Sequence, residues 1–96
     1  MGYPIMNIDL GKIESNTRLM VERCHKRGIQ VAGVTKLFGG HPVIAAAYVA
    51  GGVDLLADSR TDNLRRLAPF HLPKMLLRIP MISEAAAVVE LSLIHI

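Results

Sequence analysis

Three apolar runs dominate this chain, beginning at residues 31, 53 and 74, and each is followed by turn residues and then by a segment of helical character. The first, Val31-Ala32-Gly33-Val34, is bounded by turn formers and has the continuous apolar pattern of a strand buried on both faces. Val53 to Asp58 repeats the pattern, and Lys74 to Ile79 repeats it again, with Pro80 as its stop. Strands that alternate with helices at this spacing pair in parallel through crossover connections, which restricts the chain to an α/β architecture.

The intervening segments carry helix signals. Ile5 to Leu10 reads as a short opening strand, and Asp9 or the Gly11 turn starts a helix in which Ile13, Leu19, Met20 and Cys24 are the apolar positions. Gly28 ends that helix. Phe38-Gly39-Gly40 reads as a loop, Pro42 suits a first helical turn, and Gly51 with Gly52 stops the helix that follows. Ser59 or Thr61 is placed to cap a helix running through Leu67, with Asp62 in its first turn. Pro69 and Pro73 break the chain, and Ser83 with Glu84 opens a last helix rich in Ala and Val.

Two parallel folds compete, an open doubly wound sheet and a (β/α)8 barrel. The open sheet ordinarily carries G-x-G-x-x-G after its first strand. The turn here is Lys36-Leu37-Phe38-Gly39-Gly40, which lacks that spacing, so the barrel is favoured. In 96 residues only about three of its eight units fit.

Composition narrows the class. The chain is 51% hydrophobic and 20% charged, too apolar for disorder, and with 4% aromatic residues and no Trp its core is aliphatic. The net charge of +3 is spread along expected helix faces without interleaved aromatic residues, which argues against nucleic acid as a partner. The single cysteine, Cys24, has no partner for a disulfide or a zinc site and fits a reducing compartment. The amino terminus has no basic signal-peptide region, and the apolar stretch from Val43 to Val53 is too short to span a membrane. The expectation is a cytoplasmic protein.

Both α/β folds place chemistry at the carboxyl ends of their strands, so Lys36, Asp58, Ser59, Arg60 and Arg78 are the residues to weigh. Lys36 is either a solvated strand exit or an amine facing the barrel mouth, where partial desolvation would suit it to attack a carbonyl. Arg78 can pair bidentately with a substrate carboxylate or with a charged group of a cofactor. It can equally form a salt bridge with Asp58 or another strand-end acid. Asp58, Ser59 and Arg60 share that ambiguity between substrate contact and support, and Asn63, at a helix start, reads as structural. His25 and His71 read as surface residues.

The run Val31-Ala32-Gly33-Val34-Thr35-Lys36 resembles the first barrel strand of the alanine-racemase-type, fold type III enzymes that use pyridoxal 5'-phosphate (PLP). Asn7-Ile8-Asp9-Leu10 with Ile13, Asn16 and Thr17 resembles that family's opening strand and helix. Leu56-Ala57-Asp58-Ser59-Arg60 with Asn63-Leu64, and the block from Leu72 to Met81, look most like its ornithine-racemase branch. The resemblance covers about residues 3 to 90.

It implies a PLP-binding (β/α)8 barrel, truncated here, with Lys36 as the Schiff-base lysine and one of two acid/base groups. The implied activity is racemisation of an amino acid, with ornithine or another basic one favoured. Alanine racemases proper follow the lysine with Tyr-Gly-His-Gly, whereas this chain has Gly39-Gly40-His41-Pro42. The phosphate-holding tyrosine is missing, and His41 matches the family's histidine or simply starts a helix. The second base comes, in the family, from a partner subunit, so the parent is expected to be a homodimer. A non-catalytic PLP homeostasis protein on the same barrel is the alternative of a different class, and a D-amino-acid aldolase with a metal site is a third.

Residues 1–90 are read as the N-terminal part of this domain. Residues 91–96, Leu-Ser-Leu-Ile-His-Ile, look like translated sequencing adapter, with a fourth strand as the other reading.

Overall fold

The computed structural model describes residues 7–78, 81–90 and 94–95. Its helices are α1 (Leu10–His25), α2 (Pro42–Gly51), α3 (Thr61–Arg66) and α4 (Ala85–Glu90). Its strands are β1 (Ala32–Val34), β2 (Leu55–Asp58), β3 (Lys74–Leu76) and a two-residue β4 (Ile94–His95). The four strands form one parallel sheet whose spatial order follows the chain, β1-β2-β3-β4. Gly33 stands opposite Leu56, and Ala57 opposite Met75. The α/β alternation read from the sequence is therefore present, and so is the parallel pairing.

β2 lies between β1 and β3 and is buried at all four positions, three of them apolar and the fourth Asp58. Leu56, Leu64, Leu67 and Leu76 are completely enclosed and form the centre of the core with Val21, Ala45 and Val53. Pro42 sits at the first turn of α2, and Gly52, with φ at +97°, caps its end. Among the described residues, no helix is long and apolar enough to cross a membrane.

Several local expectations are corrected. Of the opening strand, Ile5 and Met6 lie outside the described residues, and residues 7–9 are not strand. The Asp9 carboxylate instead accepts from the Lys12 N–H at 3.0 Å and starts α1 at Leu10. Within α1, Leu19 and Met20 are exposed. The inward stripe is Ile13, Thr17, Val21 and Cys24, because the helix meets its neighbours along one narrow face.

β1 is not buried on both faces: Gly33 is enclosed under the Tyr48 side chain, while Ala32 and Val34 point to the other face and are exposed, since no layer of described residues covers them there. β3 ends at Leu76 rather than at Ile79, which with Pro80 lies outside the described residues. The cap of α3 is Arg60, neither Ser59 nor Thr61.

The amino ends of β1 and β2 are tied to α1. One Asp54 oxygen accepts from the Val31 N–H at 2.7 Å and lies 2.7 Å from His25 Nε2. These bonds, from His25 first and Val31 second, hold the Asp54 carboxyl below the usual range.

Candidate functional site

The opposite, carboxyl-terminal edge of the sheet collects the residues expected to carry chemistry. β1 leaves the sheet through Thr35, and the chain then turns as a short 3-10 helix over Lys36–Phe38. Lys36 is thus the first residue of a tight turn, not the last of a strand. Its side chain is exposed, and no group among the described residues bonds its Nζ. The neighbouring Leu37 is 94% exposed.

The turn is held from below by a buried polar cluster. Thr35 and Asp58 are both fully enclosed, and Asn63 nearly so. The Thr35 hydroxyl donates to Asp58 Oδ2 at 2.7 Å, with the Ala57 carbonyl at 3.3 Å as a second neighbour. Asp58 Oδ1 accepts from the Arg60 N–H at 2.9 Å, and Asn63 Nδ2 reaches the two carboxylate oxygens at 3.2 and 3.1 Å. Every contact of this carboxylate comes from a donor. Such pairing is the condition for burying an acid at a cost the fold can bear.

Main-chain bonds complete the clamp. The Thr35 N–H reaches the Ala57 carbonyl at 2.9 Å, and the Thr35 carbonyl accepts from Phe38 at 3.2 Å and Gly40 at 3.1 Å. From α3, Arg66 donates to the Gly39 carbonyl at 3.2 Å.

The other expected residues are placed differently. Asp58 turns inward to Thr35 and Asn63 and makes no bond to Arg78. Arg78 lies just beyond β3 and donates through Nε to the Ser59 carbonyl at 2.7 Å. Its two terminal nitrogens pair with both Glu84 oxygens at 2.8 and 2.6 Å. The bidentate pairing expected of Arg78 is therefore made, but with an acid of its own chain. Hydrogen bonds from Arg78, then from the Met81 N–H, lower the Glu84 carboxyl to about 2, and the same pair raises Arg78.

Ser59 takes part through its carbonyl. Arg60 is exposed and 4.0 Å from Asp62. His41 caps α2, its Nδ1 accepting from the Val43 N–H at 3.2 Å. The sheet's other lysine, Lys74, stands at the amino end of β3, donates to the Phe70 carbonyl, and is lowered by burial. Of these two lysines, only Lys36 lies at the edge where parallel sheets carry chemistry.

Sequence reasoning passed over Thr35 and the pairing role of Glu84. A hydroxyl ending an apolar run, one residue before a lysine, was the available signal for Thr35, since a buried hydroxyl needs a partner.

The chain is 43% identical over 86 residues to the lysine racemase of Thermotoga maritima, covering 88% of this chain and 24% of that protein. It is 38% identical over 88 residues to the ornithine racemase of Acetoanaerobium sticklandii, covering 92% of this chain and 25% of that one. It thus spans about a quarter of the length of the curated relatives it matches. Its fold matches the crystal structure of alanine racemase from E. faecalis with a TM-score of 0.77 at 20% identity, over 92% of this chain and 25% of that one. The α/β fold is accordingly that of part of a barrel of that type. No protein-family model matches the chain.

Proposed function

This chain belongs with the alanine-racemase-type, fold type III racemases, matching their N-terminal barrel region, and from that premise we propose that the whole protein racemises a basic amino acid, with PLP carried on Lys36. The observation that carries the reading is the Lys36 amine: exposed, unbonded among the described residues, and set on a braced turn at the carboxyl edge of the sheet.

That arrangement fits the cofactor at one point, the covalent anchor. A free amine on a fixed turn can meet an aldehyde, whereas an amine already donating to a carbonyl, as Lys74 does, would first have to give up that bond. Arg78 spends three of its five N–H donors on Glu84 and Ser59, which leaves two for a cofactor or substrate. His41 serves first as a helix cap. PLP, when bound, supplies the electron sink that makes an amino acid's α-proton removable.

The chain's own contribution is to hold Lys36 Nζ where it binds and orients the cofactor and exchanges a proton at the substrate α-carbon. Asp58 supports this from beneath, outside contact with substrate. The preference for ornithine or lysine over alanine rests on the two racemases matched and on the absence of a tyrosine in Gly39-Gly40-His41-Pro42.

The test uses a full-length protein carrying this segment. It is incubated with PLP and reduced with borohydride, the labelled peptide is mapped, and racemisation is assayed on a panel of L-amino acids. The label is expected on Lys36, turnover is expected to be fastest on a basic amino acid, and Lys36→Ala is expected to lose at least about 10²–10⁴-fold in rate. A label on another lysine, or racemisation retained by Lys36→Ala, refutes the assignment. A preference for alanine refutes the substrate class.

A further inference from the structure

We propose that Thr35 is a positioning residue for Lys36, its hydroxyl serving to lock the direction in which the lysine leaves the sheet. The inference rests on the reading of Lys36 as the cofactor anchor. Thr35 is fully enclosed at the end of an apolar strand, a place where valine would have the same shape and no polar group to satisfy. The hydroxyl is instead present and makes the shortest contact of the buried cluster, 2.7 Å to a carboxylate oxygen on the neighbouring strand. Hydrogen bonds to a charged acceptor are the stronger kind and restrict the side-chain rotamer.

The same residue is fixed through its main chain. Its N–H is bonded to β2, and its carbonyl is bonded to Phe38 and Gly40. Lys36 therefore departs from a residue held at the side chain, the amide and the carbonyl, with the side-chain bond crossing from β1 to β2. Asp58 is in turn held by Asn63 and the Arg60 N–H, so it cannot follow Thr35 if that residue rotates. The lysine's aim is in this way referred to the packing of α3 on the sheet.

Catalytic geometry is sensitive to displacements of about 1 Å, which can cost about 10²-fold in rate. Loss of one restraint among several is expected to cost less, about 10-fold.

The experiment compares Thr35→Val and Thr35→Ser in a full-length protein carrying this segment. Cofactor-free protein is exposed to PLP, trapped with borohydride at timed intervals, and the label on Lys36 is measured against that on exposed Lys12 as an internal reference. KM and kcat for racemisation are measured in parallel, with thermal unfolding as a check on the fold. Thr35→Val is expected to slow labelling of Lys36 about 10-fold relative to Lys12 and to lower kcat with KM little changed. Thr35→Ser, which keeps the hydroxyl, is expected to stay within about twofold of the parent on both.

If Thr35→Val does not fold, Asp58→Asn carries the test, because it keeps the shape while removing the charge and one of the two accepting oxygens. It should show the same split to a smaller extent. Labelling at the parent rate in the folded variant, with the parent's label on Lys36, overturns this proposal alone. A parent label on another lysine removes the anchor assignment and this proposal with it.

Discussion

Replacing Gly40 by alanine probes the brace of the Lys36 turn directly, and its neighbour Gly39 provides the control. Both residues lie in the left-handed region, at φ of +68° and +63°. An L side chain there costs about 1–2 kcal/mol, and the loss of glycine's freedom in the unfolded chain returns about 0.4–1 kcal/mol in either variant. These two contributions are common to the pair.

What differs is the space around the new methyl group. A Cβ on Gly39 meets nothing within 4 Å, whereas a Cβ on Gly40 would stand 2.8 Å from Asn63 Cβ, 3.0 Å from its carbonyl oxygen and 3.1 Å from its Cα. Two of those neighbours are backbone atoms of α3 and cannot rotate away. Forcing a methyl group into packed surroundings costs about 1–3 kcal/mol. Gly40→Ala is therefore expected to destabilise by about 1–3 kcal/mol more than Gly39→Ala.

Urea unfolding midpoints of the two variants in a full-length protein, at unchanged denaturant slope, measure that difference. Hydrogen exchange over residues 35–40 locates it, with faster exchange expected in Gly40→Ala. Equal midpoints for the two variants would refute the claim that the turn is packed against α3.

Leu56→Ala removes a completely enclosed side chain from the central strand and is expected to cost about 2–5 kcal/mol in unfolding free energy. A loss below that range in a denaturation series would mean the core collapses around the gap. Glu84 has a folded value of about 2 against an ordinary 4.5. Its folded value is the lower one, so its stabilising contribution is fully present above pH 4.5 and is lost as the pH falls toward about 2. Glu84→Gln should flatten that acid limb in unfolding midpoints taken near neutral pH and near pH 3, and an unchanged limb would contradict the pairing with Arg78. The 96 residues expressed alone are expected to self-associate and to lack turnover, because β1 is the edge strand of the described sheet, beside exposed Val34 and Leu37, and about three of eight barrel units cannot close a site. A monomeric, cooperatively unfolding, active product in light scattering and racemase assays would refute this.

What was legible in the sequence was local. The apolar run Leu55-Leu56-Ala57 gave away β2, because a strand covered on both faces is apolar wherever no partner is at hand for a polar group. Pro42 and Gly52 marked the ends of α2 because each restricts or frees one dihedral angle. Lys36 stood out because a strand end is a short-range pattern. The same run logic failed for β1, whose Val34 is exposed: apolar residues do not reveal whether a neighbouring layer is present to cover them.

Pairings were hidden for a related reason. Arg78 was weighed against Asp58, yet its partner is Glu84, six residues further along, a pairing that no periodicity announces. Asp58 found its partners on two other elements, in Thr35 and Asn63. Thr35 itself went unremarked, since enclosure is a property of the packed molecule and not of the residue.

All the bonds that brace the Lys36 turn come from residues 35 to 66, a stretch spanning only β2 and two helices. Among the described residues, no hydrogen bond to that turn comes from any other stretch. The turn is thus a self-contained hydrogen-bonded unit, and a substitution outside the stretch acts on it only through packing. A unit braced from within keeps its shape while the surface around it drifts, so sequence change is expected to be slower at Thr35, Gly40, Asp58 and Asn63 than at the exposed positions around them.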